Sequence, residues 1–261
     1  MSIAWGAKVE FREWDELPKF MQTEEVRPYY DSLKKKKVSL FLKRIFDVTV
    51  AGIMLILVSP IMIGIGIAIK LDSKGSVFFR QERITQYGRK FRIFKFRTMV
   101  ANAESMGSQV TIKNDMRVTK VGKVIRKVRA DEVPQLLNIL LGQMTFVGTR
   151  PEVEKFVKRY SPVMMATLLL PAGVTSEASI MYKDEDKLLD GAENVDDVYV
   201  EKILAGKMYY NLRSIKKFSF CRDINIMAMT VFAVLGKDYE ADIVAEAEFA
   251  ASIEEEKVET L

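Results

Sequence analysis

The chain has 261 residues, 49% of them apolar, so it is long enough for one large domain or two small ones with a real core. It contains no histidine, which excludes a Ser-His-Asp or Cys-His nucleophile, a histidine general base and a zinc site with histidine ligands. Cys221 is the only cysteine, so no disulfide can form within the chain, and a reducing compartment is the simpler expectation.

The net charge of +5 is distributed unevenly along the chain. Residues 238–261 carry nine acidic side chains and one lysine, which leaves 39 basic and 26 acidic side chains, a net charge of +13, in the rest of the chain. Such a basic body predicts a polyanionic partner, which can be nucleic acid, anionic lipid headgroups or a phosphorylated substrate.

The first element in chain order is a polar N-terminal extension, residues 1–37, of which residues 1 to about 33 are expected to be weakly packed. Residues 34–46 then mix lysines with apolar residues, a pattern typical of a segment that lies along a membrane interface. The plain alternative is that residues 34–46 are only the basic flank of the apolar segment that follows.

The apolar segment runs from Val48 to Ile69 without a charge and would form a helix about 33 Å long, which matches a bilayer core of about 30 Å. Ser59 and Pro60 stand near its middle, where proline breaks a backbone hydrogen bond and kinks the helix, and the serine hydroxyl can bond a freed carbonyl. Basic residues flank the segment on both sides, whereas a spanning helix usually has a one-sided bias. A simple span and a re-entrant hairpin that bends at Pro60 are therefore equally compatible with the residues.

Two aromatic-rich stretches follow, residues 76–81 and 91–97, with a turn sequence at Thr85–Gly88 between them, and together they predict a β-hairpin. Residues 115–129 then carry apolar side chains at steps of three and four, which predicts a helix whose other face is basic. After a turn at Gly148–Pro151, several helical segments extend to Gly236. The Ala/Glu-rich tail, residues 238–261, is either a solvated helix or disordered.

Asp131 and Glu132 stand just before Pro134, which is favoured in the first turn of a helix, and an apolar run up to Gly142 follows. The pair therefore lies at the positive end of a predicted helix, where ionised carboxylates and phosphates are both stabilised. Such a carboxylate can act as a nucleophile, a metal ligand or both. Alone, the stretch fits an ordinary helix start with acidic residues in its first turn better than a functional site.

Arginines recur near the predicted turns, and arginine is the side chain best shaped for bidentate phosphate binding. A surface or ion-pair role, or a role toward lipid only, is compatible with any one of them. No Walker A motif, G-x-G-x-x-G loop or cysteine cluster is present. The residues concerned, with one glutamine, are Gln81, Arg83, Arg97, Arg126 and Arg150.

Five motifs occur in a fixed order downstream of the Ser59–Pro60 pair, at residues 77–83, 94–99, 121–126, 131–138 and 146–151. Together they resemble the bacterial sugar transferase family, the monotopic phosphoglycosyl transferases that act on polyprenyl phosphate. The resemblance covers roughly Phe41 to Gly236. It implies transfer of a sugar-1-phosphate from a UDP-sugar to undecaprenyl phosphate, with release of UMP, as the first membrane step of capsule, exopolysaccharide or related glycoconjugate synthesis.

The resemblance also implies a set of site residues and a cofactor. Asp131 is implied as the nucleophile that forms a phosphosugar-Asp intermediate, Glu132 as its dyad partner, and both as ligands of Mg²⁺. Arg97, Arg126 and Arg150 match positions assigned to phosphate contacts. Gln81 and Arg83 belong to the first of the five motifs and are included as substrate-binding residues.

The resemblance favours the re-entrant hairpin and implies a monotopic protein on the cytoplasmic face of the bacterial inner membrane. The expected fold is α+β and mainly helical, with a re-entrant helix-break-helix at 45–69 hinged at Ser59 and Pro60, interfacial amphipathic helices and a small β-hairpin or sheet. The expected domains are the extension at 1–37, a membrane-associated catalytic domain at 38–237 and the acidic tail at 238–261. The expected partners are a UDP-sugar, undecaprenyl phosphate and an anionic lipid bilayer.

Two other functions are compatible with parts of the sequence. A catalytically silent membrane-surface scaffold of a polysaccharide assembly complex would account for the basic body and the unmatched termini, although the intact Asp-Glu pair and the three arginines speak against it. Nucleic-acid binding is not expected, because the apolar segment already accounts for the basic flanks. The family includes enzymes for glucose, galactose and N-acetylated amino sugars, and a homo-oligomer is compatible with the sequence.

Overall fold

A computed structural model describes residues 11–103, 115–185 and 194–259 of the chain, so residues 1–10 of the predicted extension and 260–261 of the predicted tail lie outside the described residues. The described part is mainly helical with small sheets, as predicted. The helices are α1 (Arg27–Lys34), α2 (Lys37–Asp72), α3 (Lys120–Lys127), α4 (Gln135–Leu140), α5 (Glu154–Val157), α6 (Glu177–Met181), α7 (Val195–Val198), α8 (Ala205–Lys216), α9 (Phe220–Val234) and α10 (Ile243–Glu259). The strands are β1 (Phe78–Phe79), β2 (Glu82–Ile84), β3 (Lys90–Arg92), β4 (Lys95–Phe96), β5 (Met144–Val147) and β6 (Ala172–Thr175).

Helix α2 contains the predicted apolar segment and is 36 residues long. It is the one helix in the described part that is long and apolar enough to cross a membrane, judged by length and composition. Many of its apolar side chains point outward, with Ile56 75% and Leu57 70% exposed, because no other described element covers them. The helix continues through Pro60, so the predicted helix-break-helix and re-entrant path are not confirmed and stay predictions.

The Ser59 side chain compensates for the hydrogen bond that Pro60 removes from α2. Proline has no backbone N–H, so the carbonyl of Ile56, four residues earlier, loses its usual helical donor. The Ser59 hydroxyl donates to this carbonyl at 2.8 Å, as the sequence predicted. The pair therefore leaves no backbone acceptor unsatisfied at a position where α2 faces outward.

The first turns of α2 carry a polar stripe that packs against the rest of the protein. Lys43 donates to Asp223 on α9 at 2.6 Å and to the carbonyl of Val147 at 2.8 Å, and all three groups are buried. Asp47 accepts from the Thr145 hydroxyl at 2.5 Å and the Phe146 N–H at 3.2 Å, both on β5. These contacts anchor the N-terminal part of α2 to the core.

The predicted hairpin is present, in two short ladders. β1 pairs with β4 and β2 with β3, both antiparallel, with Phe78 opposite Phe96 and Ile84 opposite Lys90. The turn lies at the predicted Thr85–Gly88, where Tyr87 and Gly88 adopt left-handed φ values of 60° and 72°. Behind the hairpin, α4, the parallel pair β5–β6 and part of α2 share one apolar core cluster.

The expectation of a weakly packed N-terminal extension is wrong for the described residues. Leu17, Met21, Val26, Tyr30 and Leu33 are almost fully buried in a common core cluster. These apolar side chains are separated by charged residues in the sequence, which hides the buried face until α1 and the preceding turns fold against the core.

The acidic tail forms helix α10, which is one of the two outcomes predicted for it. The helix contacts the rest of the protein through Glu246, which accepts from the hydroxyls of Tyr182 at 2.5 Å and Tyr210 at 2.6 Å. Helix α3 is shorter than the predicted 115–129 and begins after Thr119, whose hydroxyl accepts from the Gly122 N–H.

Replacing Asp223 by alanine should destabilise the protein strongly, because Lys43 would keep its buried charge without a carboxylate. We expect a loss of about 3 kcal/mol, which corresponds to a fall in Tm of about 10 °C in detergent. Asp31→Ala is the matched control, since Asp31 and its partner Arg27 are both half exposed and should contribute less than about 1 kcal/mol. Equal melting temperatures of the two variants would contradict the anchoring role of the Lys43–Asp223 pair.

Candidate active site

The backbone around the Asp-Glu pair differs slightly from the prediction. Asp131 and Glu132 lie in a separate 3-10 turn, Ala130–Glu132, directly before α4, which begins at Gln135. Arg129 precedes this turn in a left-handed conformation, with φ of 55°, which is uncommon for a residue other than glycine. The two carboxylates therefore stand in a turn of their own, just ahead of the N-terminus of α4.

Glu132 forms the centre of a cation cluster. Its Oε1 atom accepts from Lys95 Nζ at 2.9 Å and from Arg150 Nη2 at 2.6 Å, and its Oε2 atom is 3.4 Å from Arg150 Nη1. Burial raises the pKa of Glu132, but the charges of Arg150 and Lys95 outweigh this and hold the pKa well below the usual range. Glu132 is therefore ionised at neutral pH, and one positive charge of the cluster remains uncompensated by it.

Asp131 has a different environment from its neighbour. Its Oδ1 atom is buried and accepts no hydrogen bond from any described residue. Burial raises the pKa of Asp131, and the nearby Glu132 charge adds to the rise, whereas Lys95, Arg126 and Arg150 lower it. An oxygen without a partner beside three cations is available to a ligand, because a buried acceptor left unpaired costs free energy.

The predicted arginines have different positions. Arg150 contacts Glu132, and Arg126, on α3, is near enough for its charge to lower the pKa of Asp131. Arg97 is buried and donates to the carbonyls of Ser73 at 2.7 Å and Lys74 at 2.8 Å. Arg97 thus caps the C-terminal end of α2, and its predicted phosphate contact stays a prediction.

Gln81 and Arg83, on the hairpin, lie next to the turn that carries Arg150. Arg83 donates to the Gln81 side chain at 2.6 Å and to the Pro151 carbonyl at 3.1 Å. Burial lowers the pKa of Arg83, and the charge of Arg150 lowers it further. The structure therefore places Gln81 as a support for Arg83, and Arg83 beside the turn that carries Arg150.

Sequence reasoning missed Lys95. The signal was present, because the alternation in Phe94–Arg97 places Lys95 and Arg97 on one face of a strand, opposite the phenylalanines. It also missed Glu152, which is buried and accepts from the Tyr199 hydroxyl at 2.6 Å. No spacing in the sequence links Glu152 to Tyr199, which is 47 residues away, so only the fold could reveal that contact.

A divalent cation fits the site through Asp131. The described residues contain no group of three or more acidic, cysteine or histidine side chains that could hold a metal by themselves. Mg²⁺ is commonly held by one or two carboxylates together with substrate phosphates, so a single free carboxylate oxygen is a suitable donor. Glu132 is a weaker candidate ligand, since Lys95 and Arg150 already occupy its oxygens.

The fold and the site define a mainly helical protein in which one long apolar helix is anchored beside a cluster of two carboxylates and several cations. The chain belongs to the bacterial sugar transferase family, whose sequence model matches residues 38–237. The resemblance inferred from the five ordered motifs is therefore confirmed.

Among characterised relatives, the chain is 37% identical over 207 residues to the UDP-N-acetylgalactosamine-undecaprenyl-phosphate N-acetylgalactosaminephosphotransferase of Aeromonas hydrophila, a match that covers 78% of this chain and 46% of that protein. It is 34% identical over 220 residues to the UDP-glucose:undecaprenyl-phosphate glucose-1-phosphate transferase of Klebsiella pneumoniae, covering 81% of this chain and 44% of that protein. A protein of the same name from Caulobacter vibrioides is 33% identical over 199 residues, covering 75% of this chain and 70% of that protein. The match thus spans about half the length of the first two relatives.

Replacing Glu132 by glutamine should lower the stability of the protein, because Lys95 and Arg150 would lose the carboxylate between them. We expect a loss of about 2 kcal/mol, less than for a fully buried pair because Arg150 is 34% exposed. Thermal denaturation in detergent measures the change. The control is Glu154→Gln, whose partners Lys90 and Lys158 are well exposed, and a control loss as large as that of Glu132→Gln would argue against the cluster.

Proposed function

We propose that the protein transfers a sugar-1-phosphate from a UDP-sugar to undecaprenyl phosphate and releases UMP. The observation that carries the proposal is the buried Oδ1 atom of Asp131, which has no partner among the described residues and lies near Lys95, Arg126 and Arg150, in a chain of the bacterial sugar transferase family. The printed names of the relatives describe the same reaction for those proteins with N-acetylgalactosamine or glucose as the sugar.

The proposed reaction has two displacements at one phosphorus atom. The Asp131 carboxylate attacks the sugar-bearing phosphorus of the donor, the bond from this phosphorus to the UMP oxygen breaks, and UMP leaves with the electron pair. An oxygen of the lipid phosphate then attacks the phosphosugar-Asp intermediate and releases Asp131 as a carboxylate. A covalent intermediate lets one site serve a water-soluble donor and a lipid acceptor in turn.

The cations around the pair suit this chemistry. A carboxylate can approach a phosphate only if the negative charge of the phosphate is compensated, and preorganised cations supply such compensation without reorganisation. Glu132 holds Lys95 and Arg150 in place while neutralising only one of their two charges. We assign Glu132 to positioning these cations and Arg150 and Arg126 to the donor phosphates.

Mg²⁺, when bound, would neutralise phosphate charge at this site. Asp131 is the residue best placed to hold it, together with oxygens of the donor, because its Oδ1 has no other partner among the described residues. The attack itself needs an ionised Asp131. Burial raises the pKa of Asp131, and the three neighbouring cations oppose this rise without cancelling it.

A lipid acceptor requires the site to lie at a membrane surface. Helix α2 exposes its apolar face, and its polar stripe packs against β5, next to the turn that carries Arg150. We propose that α2 enters the cytoplasmic leaflet and returns through it at Ser59–Pro60, with the globular part on the cytoplasmic face. The basic flanks on both sides of the apolar segment support this topology.

Asp131→Asn should abolish turnover, because the amide is not a nucleophile toward phosphorus. Purified protein in detergent is incubated with a panel of UDP-sugars, undecaprenyl phosphate and Mg²⁺, and UMP release is measured. We expect a loss of at least about 10³-fold and no covalent label from a sugar-labelled donor. Asp31→Asn, the same substitution at an exposed site, should retain full activity.

Three outcomes would count against parts of the proposal. Substantial activity of Asp131→Asn would place the nucleophile elsewhere. Full activity after removal of divalent cations with a chelator would exclude the proposed cofactor. Absence of UMP release from the wild type with every donor, under conditions where a relative is active, would favour the silent scaffold.

The topology makes a separate prediction. If α2 is re-entrant, tags at both termini lie in the cytoplasm and are protected from membrane-impermeant reagents added to intact cells. Both tags should become accessible only after the cells are permeabilised. Labelling of one terminus from outside would establish a simple span instead.

A further inference from the structure

Phe79 lies on the face of the hairpin that carries Lys95. The two residues are directly opposite each other in the antiparallel ladder of β1 and β4. Side chains of directly opposite residues project from the same face of a sheet, with their Cβ atoms about 5 Å apart. Lys95 reaches from this face to the Glu132 carboxylate at 2.9 Å. Phe79 therefore stands beside one of the cations around the Asp-Glu pair.

The ring of Phe79 is not explained by the packing of the core. Phe79 is partly buried, but it packs against none of the four buried apolar clusters in the described part of the chain. Its neighbour Phe78 stacks on Phe96, with ring centroids 5.5 Å apart, and both pack with Ile69. An aromatic ring contributes its large apolar area to stability or binding only when another apolar group covers it.

The strand that carries Phe79 also contacts the apolar helix. A methyl group of Val77 lies 3.4 Å from the position that a Cβ atom on Gly66 would take, so the hairpin packs closely on α2 at this glycine. Gly66 belongs to the apolar segment, and its neighbour Ile67 is exposed. Because side chains alternate along a strand, Val77 and Phe79 project from the same face. Phe79 is thus two residues from the contact with α2 and directly beside Lys95.

A second apolar connection joins α2 to the Asp-Glu turn. Met62 and Ile65 of α2 pack against a small buried cluster around Ile69. Ala130, the residue immediately before Asp131, packs against the same cluster. An apolar chain that follows α2 can therefore approach the carboxylates while it stays in contact with apolar side chains, which keeps its surface out of water.

The order of these groups selects the class of ligand. From α2 toward the cations, the hairpin presents Val77, then Phe79 and then Lys95. A polyprenyl phosphate has the same order, because its apolar chain ends in an anionic head. A nucleic-acid base also stacks on aromatic rings, but a water-soluble nucleotide needs no contact that leads from an apolar helix. The lipid also needs no enclosed pocket, since most of its chain stays among other lipids.

We propose that Phe79 binds the lipid acceptor, with its ring against the isoprene units next to the phosphate. This contact holds the acceptor so that a phosphate oxygen reaches the phosphosugar on Asp131. The inference rests on the proposed function, because it assigns a substrate-binding residue to the second displacement of that reaction. Formation of the phosphosugar-Asp intermediate from the UDP-sugar does not involve Phe79.

The test separates the acceptor from the donor. Phe79→Thr removes the ring and keeps a β-branched residue that suits a strand. Wild type and variant in detergent are assayed for UMP release with the UDP-sugar that the wild type uses best, while the concentration of undecaprenyl phosphate is varied. We expect the KM for undecaprenyl phosphate to rise about tenfold, in keeping with the loss of one apolar contact. The KM for the UDP-sugar, and covalent labelling by a sugar-labelled donor without acceptor, should be unchanged.

Two further variants control the test. Phe79→Leu keeps an apolar side chain, so its KM for undecaprenyl phosphate should stay within about threefold of the wild type. Stacking on the uracil base would instead be lost in both Phe79 variants and would raise the KM for the donor. Phe20→Thr makes the same substitution in an exposed ring that lies over Gly88, at the turn end of the hairpin, and should match the wild type in every assay.

Several results would overturn the inference. An unchanged KM for undecaprenyl phosphate in Phe79→Thr means that the ring does not contact the acceptor. A higher KM for the UDP-sugar, or a loss of covalent labelling, assigns the ring to the donor and rejects the inference equally. If the wild type releases no UMP from any donor, the proposed function fails and the inference fails with it, whereas an active wild type with an unchanged variant rejects the inference alone.

Another substitution keeps the test decisive if Phe79→Thr does not fold, which its Tm would reveal. Phe79→Tyr preserves the ring and adds one hydroxyl at its far end, where the polar group would lie against the isoprene units. The KM for undecaprenyl phosphate should rise while the KM for the UDP-sugar stays the same. An unchanged KM for undecaprenyl phosphate in Phe79→Tyr, with Phe79→Thr unfolded, would reject the inference.

Discussion

Glu132 accepts ion pairs from two cations that come from distant parts of the chain, Lys95 on β4 and Arg150 on the turn after β5. This carboxylate therefore joins the hairpin, the 3-10 turn before α4 and the turn after β5 into one site. The two cations would repel each other without it. Lys95 and Glu132 are largely removed from water, Arg150 less so, and charge interactions are stronger away from water. The Asp131 oxygen can approach an anionic phosphate only because these cations lie near it.

The same site is coupled to the apolar helix. Arg44, in the N-terminal part of α2, donates to the carbonyls of Ile139 at 2.8 Å and Leu140 at 3.4 Å, at the C-terminal end of α4. The 3-10 turn with Asp131 and Glu132 precedes the other end of α4. Helix α2 is therefore joined to the carboxylates through a short, six-residue helix whose start lies beside them.

Sequence reasoning predicted the elements with local signals and missed contacts between distant residues. The hairpin, its Thr85–Gly88 turn and the Ser59 bond to a freed carbonyl are confirmed because proline, glycine and strand alternation act over a few residues. The packing of residues 11–34 was missed because charged and polar residues separate their apolar side chains, although Val26, Tyr30 and Leu33 follow the helical spacing of four and three. Lys95 was passed over in favour of Arg97, which the structure instead uses to cap α2.

The amino-acid sequence by itself determined the family, the apolar helix, the hairpin and the identity of the Asp-Glu pair, since each depends on residue types at short spacing. Only the tertiary structure decided which cations surround the pair, and that Glu132 is held by Lys95 and Arg150 while Oδ1 of Asp131 has no partner among the described residues. The physical reason is that burial and charge depend on distance in space. Residues 95, 132 and 150 come together only when the hairpin, α4 and β5 pack around one core.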